Sequence, residues 1–286
     1  VAYQTGYLKA HYPTEFITAL LGAEGFDIER ITFIVDEAKS MNIEVLPPDI
    51  NESFEDFTFV TKGKIRFGLG SVKNVGEHIV GHIIAARAES GRFTSLANFA
   101  ERTHHRDLNK KSLESLIKCG ALDSLSEERS TLLGNVDAIL AYSRQTEKEK
   151  NDGQVSLFSM APEMSVSTLR LRPASPVSKR ERLAWEKELL GLYVSEHPLT
   201  EYADRLKQHK TTPLKDIGTA GARRTVSIGA LVSAVQKKTT KAGEAMLFVK
   251  MEDLTANAEV LVFPKTLAKY PLLWQTAKVL LVHGTL

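Results

Sequence analysis

Hydrophobic positions along this chain change rhythm several times, and each change marks an element. Residues 14 to 21 have the spacing of a short helix, and Asp27 is placed to cap a second whose apolar positions Ile28, Ile31, Val35 and Ala38 recur up to Asn42. Ile43 to Leu46 has the character of a strand stopped by Pro47-Pro48, and Phe57 to Val60 pairs with Ile65 to Phe67 across Lys62-Gly63. Helical spacing returns with Ile79, Val80, Ile83 and Ile84, in a helix running to Glu89. It returns again with Leu113, Leu116 and Ile117 behind a capping Asn109, followed by the turn Lys118-Cys119-Gly120-Ala121 and further helix from about Glu127. Lys179 to Leu192 forms a patterned helix with Leu183, Trp185, Leu189, Leu190 and Leu192 on its apolar face, and Pro198 starts a short one holding Tyr202 and Leu206. From about Thr225 the period becomes that of strands: Val226 to Val235, a basic loop from Lys237 to Gly243, Met246 to Met251, a turn at Asp253 to Asn257, then Ala258 to Phe263. A helix-like Lys265 to Tyr270 leads to a last strand, Lys278 to Val282. The expected class is α+β and multidomain, mostly helical over the N-terminal two-thirds and all-β after that.

One stretch has no such rhythm. Glu147 to Asn151 is charged or polar, and Ser159 to Pro176 mixes Ser, Pro and Met. So little apolar surface does not offset the entropy of ordering a chain. Inside it stands Gln154-Val155-Ser156-Leu157-Phe158, a Leu-Phe pair led by a glutamine able both to donate and to accept. This is the pattern of a peptide that docks in a partner's pocket. It resembles the bacterial sliding-clamp-binding box: Gln, aliphatic, Ser or Asp, Leu, Phe. The plain alternative is a linker containing a chance match.

Composition narrows the class. With 286 residues, two or three folding units are expected. A single cysteine, Cys119, excludes internal disulfides and cysteine-based zinc sites and suits a reducing cytoplasm. No apolar run reaches the ~20 residues of a membrane span, so no membrane partner is expected. The chain begins at Val1 without methionine and stops at Leu286 within an apolar run, as a piece excised from a longer protein would. The net charge of +2 is uneven: Thr219 to Leu286 holds nine Lys or Arg against four acids, and Lys64 to Asp123 holds ten against six. Excesses of this size are compatible with phosphate contact, although they are more often simply solvated faces.

Leu69-Gly70-Ser71-Val72-Lys73-Asn74-Val75-Gly76, leading into a helix, resembles a helix-hairpin-helix DNA-binding motif. In such motifs a tight turn at a helix N-terminus offers N–H groups and the helix dipole to a phosphate without reading a base. Asn74 stands where the first Gly of the hairpin is usual, and Asn tolerates left-handed backbone better than most residues. The candidate duplex-DNA residues are Lys73, Asn74, Val75 and Gly76. The Asn109 helix and its Gly120 turn form a looser second copy, which by itself reads as an ordinary helical hairpin. Tandem copies pack as one five-helix unit. The terminal strands resemble an OB-fold lacking its fifth strand. Its candidate single-stranded-DNA residues are Lys237, Lys238, Lys241 and Phe248, with Phe248 and Phe263 the only strand aromatics to stack on. Trp185 reads as a core anchor. His104-His105 is assigned no metal, because adjacent helical side chains diverge by about 100°.

Taken in order, these parts resemble the C-terminal half of the bacterial DNA polymerase III alpha subunits, the replicative C-family polymerases. The resemblance spans essentially the whole chain. It is carried by Ala2-Tyr3-Gln4-Thr5, Leu8 to Pro13, Val45 to Asn51, Phe67-Gly68-Leu69-Gly70, Lys73-Asn74-Val75-Gly76, Leu113 to Lys118 and Gly120 to Asp123. Further on it rests on the Gln154 box, Glu188 to Tyr193, His197-Pro198-Leu199, Phe248 to Asp253, Glu259-Val260 and Phe263. It implies the end of a fingers domain at 1–50, a clamp-binding region with tandem helix-hairpin-helix at 51–146, and a flexible linker with the clamp peptide at 147–178. Connecting helices at 179–215 and a truncated OB-fold at 216–286 follow. It further implies duplex and single-stranded DNA, the sliding clamp (beta subunit) and other polymerase III holoenzyme subunits as partners, in the bacterial cytoplasm. The family's catalytic carboxylates and their two Mg²⁺ ions belong to a palm domain that precedes Val1. No Asp-x-Asp pair occurs here, so neither catalytic residues, nor a metal, nor a cofactor are assigned to this chain, and it is not expected to polymerise alone. Three alternatives stay open: an error-prone paralogue, a non-catalytic helix-hairpin-helix/OB repair scaffold, and a ligase-type enzyme, whose separate test would be nucleotide-dependent adenylylation.

Overall fold

The structure is a computed structural model that describes residues 2–24, 27–103, 108–151, 169–218, 224–241 and 243–286. The Gln154 box and His104-His105 lie outside these residues. The chain divides into two compact units, Val1–Ser195 and Glu196–Leu286. No helix among the described residues is long and apolar enough to cross a membrane.

The first unit opens with three helices, α1 (Ala2–His11), α2 (Pro13–Ala23) and α3 (Ile28–Ser40). The last two follow their apolar spacing: α2 buries Thr14, Ile17 and Leu21, and α3 is capped by Asp27, which accepts from the Arg30 N–H at 3.2 Å. No sequence signal marks α1, because it buries no residue and so carries no apolar stripe for the eye to find.

A small sheet follows, from β1 (Glu44–Leu46), β2 (Thr58–Thr61) and β3 (Lys64–Arg66), in the order β1-β3-β2. The expected hairpin turns at Gly63, where φ is 81°. The parallel pairing of β1 with β3 depends on a long-range contact that periodicity does not encode. The Pro47-Pro48-Asp49-Ile50-Asn51 stretch has a structural use. Asn51 accepts from the Phe93 N–H at 2.7 Å and donates to its carbonyl at 3.0 Å, stapling positions 42 residues apart.

Helices α4 (Glu77–Ser90), α5 (Leu96–Arg102), α6 (Lys110–Lys118), α7 (Arg129–Gly134) and α8 (Val136–Asn151) complete a five-helix set. They share one core with the N-terminal helices, built on Ile79, Ile83, Phe99, Leu113, Leu116 and Ile139. Asn109 forms a capping box with Ser112. Helix α8 runs on to Asn151, and Leu169 and Leu171 pack against the core, while Asn135 bonds the backbone of Arg172. Both ends of the stretch with no apolar rhythm thus belong to the folded unit. Helix α9 (Lys179–Leu190) ends at Gly191, in left-handed conformation at φ 79°. Glu186 is buried within it, its charge held by the N–H groups of Val194 and Ser195 at 3.2 and 3.1 Å.

The second unit starts with short helices α10 (Ala203–Gln208) and α11 (Leu214–Ile217). It continues with β4 (Thr225–Thr239), β5 (Ala245–Glu252), β6 (Asn257–Val262), α12 (Pro264–Lys269) and β7 (Val279–Thr285). All pairings are antiparallel in the order β6-β5-β4-β7, with the helix between the third and fourth strands. This is a truncated OB-like half-barrel whose inner face buries Ile228, Val232, Val249 and Met251. The basic stretch expected to be a loop differs: Lys237 and Lys238 are in β4, which extends to Thr239, because Lys237 and Lys238 find ladder partners in Leu247 and Met246.

Candidate nucleic-acid interface

The hairpin before α4 is set by two buried valines. Val72 and Val75 turn inward, which leaves Lys73, Asn74 and Gly76 on the surface. The Val75 N–H is spent on the Val72 carbonyl at 3.2 Å and the Lys73 N–H on the Leu189 carbonyl of α9 at 3.0 Å. Asn74 adopts φ 67°, the left-handed geometry that a glycine would otherwise supply, and its amide reaches the Ser115 hydroxyl of α6 at 3.3 Å. Gly76 is the N-cap of α4 in extended conformation, φ −81° and ψ 154°. Its carbonyl accepts the first helical bonds from Ile79 and Val80. Among the described residues the N–H groups of Gly76, Glu77 and His78 have no partner within the chain, as expected of a helix's first turn. A Cβ built on Gly76 meets nothing within 4 Å, so the space in front of these donors is open. Glu77 is the one acidic side chain in that first turn.

The second hairpin is closed. Gly120 has φ 86°, but the space over it holds the Arg129 guanidinium, 2.2 Å from where a Cβ would stand. Arg129 donates to both Asp123 carboxylate oxygens, at 2.9 and 2.6 Å, and to the Lys118 carbonyl at 2.9 Å. Burial works against the Arg129 charge, but the Asp123 pairing outweighs it and raises its pKa. With Gly120, Ala121 and Leu122 buried and Asp123 and Glu127 exposed, this turn offers acid, not free donors, to solvent.

In the OB-like unit, the β4–β5 register sets Gln236 opposite Phe248 and Lys238 opposite Met246. Leu261 on β6 lies opposite Phe248. Period-2 alternation puts these side chains on the outer face, and the Lys238 Nζ stands 4.6 Å from the Phe248 ring centroid, within cation–π range. Lys237 pairs with Leu247, a residue of the buried face, so it points to the side opposite Lys238 and Phe248. Lys241 lies in the turn that follows.

A family model described as a helix-hairpin-helix motif matches residues 42–132. Curated relatives match over far more of the chain. The DNA polymerase III subunit alpha of Neisseria meningitidis serogroup B is 39% identical over 267 residues, 93% of this chain and 23% of the relative. That of Saccharopolyspora erythraea is 38% identical over 284 residues, 93% of this chain and 23% of its own length. The Vibrio cholerae protein is 33% identical over 287 residues, 99% of this chain and 25% of its own. The chain belongs to the DNA polymerase III subunit alpha family. It spans about a quarter of the length of these relatives.

Of the residues singled out in the sequence, this alpha-subunit segment brings Lys73, Asn74 and Gly76 together on one open turn, with the Val75 side chain beneath them. It joins Lys238 to Phe248 and separates Lys237 from both. Lys250 and Leu261 were not among the residues read from the sequence. The alternation of β5 and β6 was the available signal for Lys250 and Leu261. Leu261 and Phe263 are 46% and 59% exposed, large apolar groups on the outer side of the sheet and at its rim.

Cys119 is fully buried beside the closed turn, and burial pushes its thiol up to about 12. Reaction requires the thiolate. We therefore expect no labelling by an aromatic disulfide reagent at pH 8 in the native protein, and one equivalent in denaturant. Because the unfolded thiol ionises near 9, below the folded value, this group's stabilising contribution is present below pH 9 and is lost as pH rises from 9 toward 12. Rapid native labelling would overturn the assignment.

Proposed function

We propose that this chain is the DNA-attachment and clamp-attachment region of a replicative polymerase of the bacterial cytoplasm. Duplex phosphate is held at the Lys73–Gly76 turn, single-stranded template at the outer face around Lys238 and Phe248, and the sliding clamp at Gln154, Val155, Ser156, Leu157 and Phe158. The observation that carries the reading is the open hairpin: two buried valines, a left-handed Asn74 and three unpartnered N–H groups at the start of a 14-residue helix, in a family whose members are named as polymerase subunits. A turn of this kind takes a phosphate on backbone donors and is indifferent to base sequence. Clamp docking through two apolar side chains is modest in energy, and DNA contacts on the same chain add to it as a second attachment. Nucleotidyl transfer with two Mg²⁺ ions, and contacts with further holoenzyme subunits, belong to the same proposal for the longer protein; this chain contributes no cofactor site to it.

The test is titration of the 286-residue chain with unrelated fluorescent duplexes at rising salt. We expect similar affinities across sequences and a linear fall of log K with log salt. No duplex binding at low salt would overturn the reading. For the single-strand face, Phe248→Ala is expected to cost about 1–3 kcal/mol of oligonucleotide affinity, the value of one base–aromatic stack. Lys238→Ala is expected to lower the salt slope by about 0.7. Lys237→Ala, on the opposite face, serves as the comparison. Equal effects of Lys237 and Lys238 would remove the assignment of that face.

A further inference from the structure

Several cations of the first unit are already paired with carboxylates. Lys9 pairs with Glu37, Arg30 with Glu24, Arg66 and Arg92 with Glu52, Lys110 with Asp137, Arg129 with Asp123 and Arg182 with Glu128. Lys73, Lys111 and Lys118 are among the described cations that form no salt bridge. Their placement is not scattered. Ser115 of α6 accepts from Asn74 of the hairpin turn, and positions 111, 115 and 118 fall on one stripe of a helix. The bond that fastens α6 to the turn therefore puts Lys111 one helical turn to one side of it and Lys118 one turn to the other. Lys111 is exposed. Lys118 is half-buried, its ammonium 5.9 Å from the Trp185 ring centroid, within cation–π range.

We propose that Lys111 and Lys118 bind backbone phosphates of the same duplex whose phosphate the hairpin holds, extending that contact along α6 on both sides of Ser115. The inference rests on the hairpin reading above. Seven residues of helix rise about 10 Å, which matches the axial span of about three phosphates of one strand. The ligand is a run of phosphates and not a single anion, because the cations are spaced along a line and enclose no pocket. Glu114 lies beside Lys118 and Lys111 on the helix surface and opposes the same ligand, which gives the proposal a test of opposite sign.

The experiment compares the salt dependence of duplex binding by the 286-residue chain with that of Lys111→Ala/Lys118→Ala, Glu114→Gln and Lys110→Ala. The double variant is expected to lower the slope by about two contacts' worth, roughly 1.8, and Glu114→Gln to tighten binding at low salt. Lys110→Ala, whose ammonium already has Asp137, is expected to leave the slope unchanged. An unchanged slope in the double variant overturns the track, whatever happens at the hairpin. The hairpin itself is judged separately by variants of Gly76. Loss there with no loss at Lys111 and Lys118 removes only this extension, and an unaltered melting temperature in the double variant excludes misfolding as the cause of a lowered slope.

Discussion

Replacing Gln154, Leu157 and Phe158 together by alanine is expected to abolish binding of this chain to a bacterial sliding clamp while leaving its duplex affinity intact. Burying a Leu and a Phe is worth roughly 3 to 6 kcal/mol before ordering costs, and those costs consume much of it. The wild-type interaction should therefore be modest, and loss of both side chains should take it below detection. A melting curve of the variant beside the wild type reports on folding separately from binding. Calorimetric or surface-based titration against purified clamp, with duplex binding measured on the same sample, separates the two attachments. Clamp binding retained in the triple variant would move the contact elsewhere. Absence of clamp binding by the wild type would reduce the box to a chance match and favour a paralogue that works without direct clamp contact.

Much of this arrangement was legible in the residues, and the parts that were not share a cause. Helices α2, α3, α4, α6 and α9 announced themselves because each buries one stripe and each carries a capping or stopping residue: Pro13, Asp27, Gly76, Asn109 and Gly191. Asn74 was readable as a left-handed position because so few other residues tolerate it. Helix α1, with nothing buried, gave no signal, and the parallel β1–β3 pairing is decided by contacts distant in sequence. At the site, sequence showed two hairpins of similar appearance. Only the structure shows that the Gly120 turn is filled by Arg129 from nine residues further on, because a side chain folding back over a glycine leaves no local pattern. The same limit applied to the lysine run at 237–241. Composition registered its charge, but the strand register decides that Lys238 and Phe248 meet and that Lys237 faces away.

That difference between an open and a filled turn makes Gly76 the sharpest point at which to test the duplex contact. Gly76→Val is expected to weaken duplex binding more than ten-fold. No atom lies within 4 Å of the added Cβ and the backbone is already extended, so the folded chain has room for valine. What the branched side chain obstructs is the approach of a phosphate to the N–H groups of Gly76, Glu77 and His78. Hydrogen bonds to a charged group are worth about 1.5–3 kcal/mol each, so loss of one suffices for the expected effect. Valine is a poorer N-cap than glycine, at a stability cost of order 1 kcal/mol, and a second variant removes that ambiguity. Gly76→Ser supplies a side-chain oxygen that caps α4 and should match or slightly exceed the wild type in stability, yet its hydroxyl takes up one of these donors, the His78 N–H, and stands in front of the others. Duplex affinity falling in both variants while stability moves in opposite directions ties binding to those free N–H groups and not to the integrity of the helix. If both variants bind duplex as the wild type does, with an unchanged salt slope, the hairpin has no part in holding DNA.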